Sequence, residues 1–274
     1  MKVQFYGVRG SIASSGPATQ KYGGNTPCVS VQAGGEQLIF DAGTGIRVLG
    51  TEIGPIPVQA HLFFSHLHWD HIQGFPFFTP AYVPGNQIHL HSVKLHKDTS
   101  IASVLNEQMR APTFPVGMDM MRADLIFEET ELGQTTVVGD LQIRHSTVDH
   151  PNGCVAYRVD GEGASVVYAT DLEQEEDSLS TELVELCQGA DLLIYDAMYT
   201  PEEYAGSGGF SKKGWGHSTF LSGARLAEEA GVQTLCLFHH DPSHDDDFMD
   251  QLGKRARERF SRTTVAKEGM VFEL

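Results

Sequence analysis

Short apolar runs separated by turn-forming residues recur along the chain, and their period alternates between that of a strand and that of a helix. The runs at 3–8, 28–33 and 37–41 are bounded by Gly, Ser and Pro, which predicts strands. The run 58–65 (VQAHLFFS) predicts a buried strand feeding a histidine-rich turn. Strands are also predicted at 87–93, 135–138, 141–148, 154–160, 164–170, 191–196, 234–238 and 271–274, with Gly161-Glu162-Gly163 closing a hairpin. Helical spacing marks 44–53, 100–110, 179–187 with Ser180 or Thr181 as cap, 218–230 ended by Gly231, and 245–260. In the last of these Phe248, Met249, Leu252, Ala256 and Phe260 share a face, with acids in the first turn and bases in the last, as a helix dipole favours. Two blocks of strands, each followed by helices, predict an α/β chain of two packed sheets with helices outside. Without internal repeats or linkers, residues 1–274 read as one domain. The glycine-rich stretch 201–216 (PEEYAGSGGFSKKGWG) is expected to be a functional lid or contact loop.

At 274 residues the chain can bury a sizeable core, and no run approaches 18 apolar residues, so no membrane span is expected. The opening Met1–Tyr6 enters strand-like sequence directly, so no secretory leader is expected. Cys28, Cys154, Cys187 and Cys236 stand apart in apolar runs, which suits a reducing cytoplasm and argues against a disulfide framework. Nineteen Lys+Arg against 36 Asp+Glu leave a net charge of −17. Such a surface repels a long phosphate backbone, so no long nucleic acid is expected as a partner. A small anion can still bind where local metal charge overcomes the global field.

Thirteen histidines are an excess, and their placement points to metal chemistry. His66, His68, Asp70 and His71 fall within His66-Leu67-His68-Trp69-Asp70-His71, directly after an apolar strand. Imidazole and carboxylate suit zinc, and also manganese or iron, and four donors so close serve two ions better than one. His150, Asp171 and His239 each sit at a predicted strand end. Any one of them alone also suits an ordinary turn; together they complete two coordination spheres, with Asp171 able to bridge. His61 is expected in the core, and His89, His91, His96 and His145 on the surface.

Phe40-Asp41-Ala42-Gly43-Thr44-Gly45, the 66–71 loop, His150, Asp171 and His239 follow one another in an order that resembles the metallo-β-lactamase superfamily. Gly7-Val8-Arg9-Gly10-Ser11, Tyr22-Gly23-Gly24-Asn25-Thr26 and Gly214-Trp215-Gly216-His217-Ser218-Thr219 are similar to its RNase Z-like phosphodiesterase branch. The resemblance implies a four-layer αββα sandwich and a dinuclear centre. It places His66, His68 and His150 on one ion and Asp70, His71 and His239 on the other, with Asp171 between them and His240 as the alternative to His239. Asp41 is then a supporting acceptor for an imidazole N–H. His217, read at the start of the 218–230 helix, corresponds to the family's catalytic histidine outside the ligand set; Asp70 is also expected to orient the nucleophile.

The expected activity is hydrolysis of a small cyclic phosphodiester by two divalent ions, Zn2+ first and Mn2+ as alternative. The expected substrate is a 3′,5′-cyclic nucleotide yielding a nucleoside monophosphate, since a compact anion needs only the pocket. Ribosyl 1,2-cyclic phosphate hydrolysis and RNase Z-like ribonuclease activity are the alternatives within this chemistry. A thioester or lactone hydrolase and a non-catalytic metal-binding sensor are the alternatives outside it. The resemblance also implies a homodimer, with the 201–216 loop reaching the partner.

Overall fold

The computed structural model describes residues 1–95, 99–207 and 209–274; His96 lies outside them. The first sheet is built from β1 (Lys2–Gly7), β2 (Cys28–Ala33), β3 (Glu36–Phe40), β4 (Gln59–Phe64), β5 (Gln87–Val93) and β6 (Asp124–Thr130). The second contains β7 (Thr136–Val138), β8 (Leu141–Val148), β9 (Cys154–Gly161), β10 (Ala164–Ala169), β11 (Leu192–Asp196), β12 (Thr234–Phe238) and β13 (Thr263–Val265). The final strand, β14 (Val271–Glu273), returns to the first sheet, giving orders β14-β1-β2-β3-β4-β5-β6 and β13-β12-β11-β10-β9-β8-β7.

Strict alternation along the strands makes the sandwich. In the second sheet Val155, Tyr157, Val166, Tyr168, Ile194 and Phe238 join Phe5, Phe40 and Phe63 of the first sheet in the central core. Their neighbours Ala156, Val167, Leu193, Tyr195 and Leu237 face the other way, onto α4 (Thr181–Cys187), α6 (Phe220–Glu229) and α7 (Asp246–Arg259). The outer face of the first sheet, with Ile39, Leu62, Phe64 and Leu90, is covered by α1 (Ile46–Ile53) and α3 (Ile101–Gln108). The four-layer αββα architecture follows. Among the described residues no helix is long and apolar enough to cross a membrane.

Strand direction positions the site. β3 runs parallel to β4, and β10, β11 and β12 run parallel to one another. Antiparallel β9 lies between β8 and β10, so β8 points the same way as β10. The segments that follow β3, β4, β8, β10 and β12 carry Asp41, the 66–71 loop, His150, Asp171 and His239, β11 ends on Asp196, and they meet at one rim of the sandwich. The carboxyl ends of strands are where α/β sheets generally place ligands.

Four elements depart from the sequence reading. β6 (DLIFEET) carries Asp124, Glu128 and Glu129 around a short apolar run; it is an edge strand, where charge blocks further pairing. β13, three residues at the opposite edge, is too short for periodicity to register. α2 (Trp69–Ile72) forms inside the histidine loop. The predicted loop 201–216 opens with α5 (Pro201–Ala205), set by a capping box between Thr200 and Glu203 with Pro201 in the first turn.

Phe40 stacks on Phe63 at 5.6 Å and lies 5.4 Å from Tyr168 at the middle of the central core. Phe40→Ala is expected to destabilise the fold by about 3–5 kcal/mol, because the two rigid sheets cannot collapse into the void. Urea unfolding monitored by circular dichroism checks this; a midpoint unchanged from wild type would contradict it.

Candidate metal centre

Seven side chains singled out in the sequence converge at this rim. Four neighbouring groups (His66, His68 and His150; His66, His71 and Asp171; Asp70, His71 and His239; His150, Asp171 and His217) each place their donor atoms within 4.8 Å of one another. Asp171 lies between the two halves. Its Oδ1 is 3.1 Å from His71 Nε2 and 3.2 Å from His239 Nε2, while its Oδ2 is 3.7 Å from both His66 Nε2 and His150 Nε2. His68 Nδ1 approaches His150 Nε2 at 3.0 Å, and Asp70 Oδ2 lies 3.3 Å from the Nε2 atoms of His71 and His239.

The rings of His66, His68, His71 and His150 are each held through a second nitrogen, which fixes tautomer and orientation. His71 Nδ1 donates to Asp41 at 2.7 Å, and His150 Nδ1 donates to the Gly216 carbonyl at 2.8 Å. His66 Nδ1 meets Ser65 Oγ at 3.0 Å. Asn152 Nδ2 donates to His68 Nε2 at 3.2 Å. Asp41 is a hub: besides His71 it accepts from the Ser65 backbone amide, the Ser65 hydroxyl and the Tyr168 hydroxyl. Glu173 accepts from the amides of Gly214 and Gly216 and so holds the carbonyl that receives His150. A Cβ at Gly10 would strike the His239 ring, and one at Gly216 the His150 ring, which explains both glycines. The Ser11 amide in turn donates to Asp70 at 2.7 Å.

Backbone conformation marks the same rim. Asp41, Asp171 and His239 all adopt positive φ (59°, 50° and 58°), a left-handed conformation costing roughly 1–3 kcal/mol for a residue with a Cβ. Three such residues, each just past a strand end, turn their side chains into one cluster.

The electrostatics fit a cationic guest. Asp41, Asp70, Asp171 and Asp196 are all buried, and buried carboxylates need compensating charge. Burial pushes the His66, His68 and His150 imidazoles toward their neutral, metal-binding form. Burial also disfavours charge on His71, but the surrounding carboxylates of Asp171, Asp70 and Asp41 outweigh it and raise this ring well above the usual range. His66 Nε2 and His71 Nε2 are buried without a hydrogen-bond partner. Unpaired nitrogens facing a shared carboxylate form a donor set suited to divalent metal.

Two sequence-based expectations are settled by the geometry. His217 does not begin a helix: α6 starts at Phe220, and Thr219 caps it by accepting the Ser222 amide. The His217 ring is instead tied by Nδ1 to Asp196 Oδ2 at 2.7 Å and lies stacked 5.0 Å from His239. Sequence reasoning misses Asp196, although it ends an apolar strand much as Asp41 follows β3. His240 faces away, its Nε2 donating to the Ala266 carbonyl, so His239 is the histidine in the cluster. Arg9 is fully buried and spends its guanidinium on the carbonyls of Gly23, Asp241 and His244. Phe75 and Phe78, which follow the histidine loop in the chain, are core, whereas Phe77 and Trp215 are exposed.

A family model described as "Beta-lactamase superfamily domain" matches residues 36–240. The chain is 24% identical to the Ribonuclease Z of Haloarcula marismortui, over 98% of this chain and 96% of that protein. It is 27% identical to the probable metallo-hydrolase YhfI of Bacillus subtilis over the whole of both chains. The YhfI crystal structure superposes with a TM-score of 0.72 at 22% identity, covering 99% of each chain. A diphosphatase from the PhnP family also gives 0.72, at 18% identity, covering 100% of this chain and 97% of that one.

Asp41→Asn would leave a single acceptor oxygen for the four donors of His71, Ser65 and Tyr168 that Asp41 now holds. It is expected to weaken Zn2+ binding about 10- to 100-fold, the usual loss for a supporting partner. Competition with a chromophoric chelator measures this; wild-type affinity would show that Asp41 serves only the loop.

Proposed function

The chain belongs to the beta-lactamase superfamily and has the metallo-β-lactamase fold, and on that premise we propose that it is a dinuclear metal-dependent phosphodiesterase acting on small cyclic phosphodiesters. The first candidates are 3′,5′-cyclic nucleotides, opened to nucleoside monophosphates. In this reading His66, His68 and His150 would hold one ion and Asp70, His71 and His239 the other, with Asp171 placed to serve both, Zn2+ first and Mn2+ as alternative. When bound, such a pair lowers the pKa of a shared water and neutralises phosphoryl oxygens.

The observation that carries the reading is the His217–Asp196 pair beside the cluster. Burial pushes His217 down, but the Asp196 carboxylate outweighs it and lifts the imidazole to about 9. Asp196 thus favours the protonated form of His217, with Nδ1 engaged and Nε2 left to hydrogen-bond a phosphoryl oxygen or give a proton to the departing alkoxide. Asp196 positions that ring, and its other oxygen is held by the Met198 amide at 3.0 Å. Asp70, fixed by the Ser11 amide, orients the attacking water. A phosphodiester needs both charge neutralisation and a proton donor, whereas a thioester leaving group needs no such acid.

Substrate size follows from shape and charge. A cavity of about 240 Å³ adjoins His66 and His68, lined by Phe64, Leu67, Leu95, Ile101 and Val104. That volume suits a base or a sugar. The net charge of −17 disfavours a long RNA. A ribonuclease reading draws support from the full-length similarity to Ribonuclease Z, and ribosyl 1,2-cyclic phosphate remains a competing substrate. A homodimer in a reducing cytoplasm completes the proposal.

Purified protein should be assayed on 3′,5′- and 2′,3′-cyclic mononucleotides, ribosyl 1,2-cyclic phosphate, a tRNA precursor, a thioester and a lactone. Turnover is expected on a 3′,5′-cyclic nucleotide, lost on EDTA treatment and restored by Zn2+ or Mn2+. Thioester or lactone turnover alone would refute the phosphodiesterase. His217→Ala should keep its metal but lose about 10²–10⁴ in kcat. Asp196→Asn should move the alkaline limb of the pH–rate profile to lower pH, because the charge that raises His217 is gone; an unmoved limb would remove Asp196 from the mechanism.

A further inference from the structure

Beneath the rim, the first sheet carries a second histidine cluster that the proposed reaction does not use. His61 of β4 pairs in register with His89 of β5, and His91 of β5 pairs with Glu128 of β6. Ala60, Leu62, Ile88 and Leu90 point to the helix-covered face, so alternation sends His61, His89 and His91 to the opposite one. One nitrogen from each ring falls within 4.8 Å of the others. The Glu128 carboxylate spans two of the rings, 2.6 Å from His89 Nδ1 and 3.6 Å from His91 Nδ1. His91 Nε2 meets His61 Nδ1 at 2.9 Å, the same close imidazole–imidazole approach that His68 and His150 make in the candidate centre.

This placement contradicts the surface position expected for His91 and leaves His89 half-buried. His61 is 6% exposed and His91 3%. Phe63 lies flat on His91 at 4.3 Å and closes the cluster on the core side. His61 Nε2 and His91 Nδ1 are buried with no hydrogen-bond partner. Burial pushes both rings down to about 4, so each is the neutral imidazole that binds metal. Sandwich interiors are ordinarily filled by aliphatic side chains, and unpaired polar atoms there cost free energy. Glu128, 41% exposed, gives the cluster an opening to solvent.

We propose that His61, His89, His91 and Glu128 form a second metal site, separate from the rim centre, for a divalent transition ion of the zinc type. Three imidazoles whose nitrogens lie within 4.8 Å of one another, with the Glu128 carboxylate beside two of them, offer the nitrogen and oxygen ligands that zinc takes. The ion takes one nitrogen from each ring and ties β4, β5 and β6 together, with a structural role independent of the hydrolytic reading.

The test uses untagged full-length protein whose rim centre is disabled by His68→Ala and Asp171→Asn, titrated with Co2+ and followed by visible absorption. The disabled protein is expected to bind one Co2+ per chain with a tetrahedral spectrum. Adding His89→Gln and Glu128→Gln should weaken that binding by more than ~100-fold, beyond the loss expected for a supporting partner. Equal binding with and without His89 and Glu128, or no Co2+ bound by the disabled protein, would overturn the site. Should the combined variant misfold, Glu128→Gln alone in the wild-type background decides: a smaller Zn2+-induced rise in Tm with unchanged phosphodiester turnover supports the site, and an undiminished rise refutes it.

Discussion

Asp171 is the interaction on which the rest of the structure depends. A carboxylate buried at a strand end, with two imidazoles facing each oxygen, is tolerable only where positive charge is supplied. Neutral imidazoles do not supply it, and Asp41, Asp70 and Asp196 deepen the deficit. The cluster therefore has to gather protons or metal ions, and the second option uses the unpaired nitrogens of His66 and His71 as well. The held charge at the rim then contrasts with a chain of net charge −17, which confines attraction for an anion to the site.

The sandwich is what sustains that concentration of charge. Parallel strands bring their ends to one edge, and the core between the sheets fixes the distance from one sheet's donors to the other's. Tyr168 shows the link: its ring packs between Phe40 and Phe238 in the core, and its hydroxyl holds Asp41, which holds His71. Core packing, backbone strain at Asp41, Asp171 and His239, and ligand orientation form one mechanical unit.

Much of this is legible in the amino-acid sequence. Alternating strands and capped amphipathic helices announce two sheets with helices outside, and the dense 66–71 loop announces its chemistry. His150, Asp171 and His239 are readable because each follows an apolar strand. What escapes is what periodicity does not encode. Asp196 looks like any strand-terminal acid until the fold sets it against His217. The Thr200–Glu203 capping box is hidden in a glycine-rich stretch. The His61, His89 and His91 cluster is invisible because its members lie on neighbouring strands whose pairing register no local pattern reveals.

The most direct measurement is anomalous diffraction at the zinc edge from crystals grown with Zn2+. Two peaks are expected about 3.5–4 Å apart, on either side of the Asp171 carboxylate, one within bonding distance of His66, His68 and His150 and the other of Asp70, His71 and His239. A rim with no peak, or with a single ion that leaves either group unligated, would contradict the account.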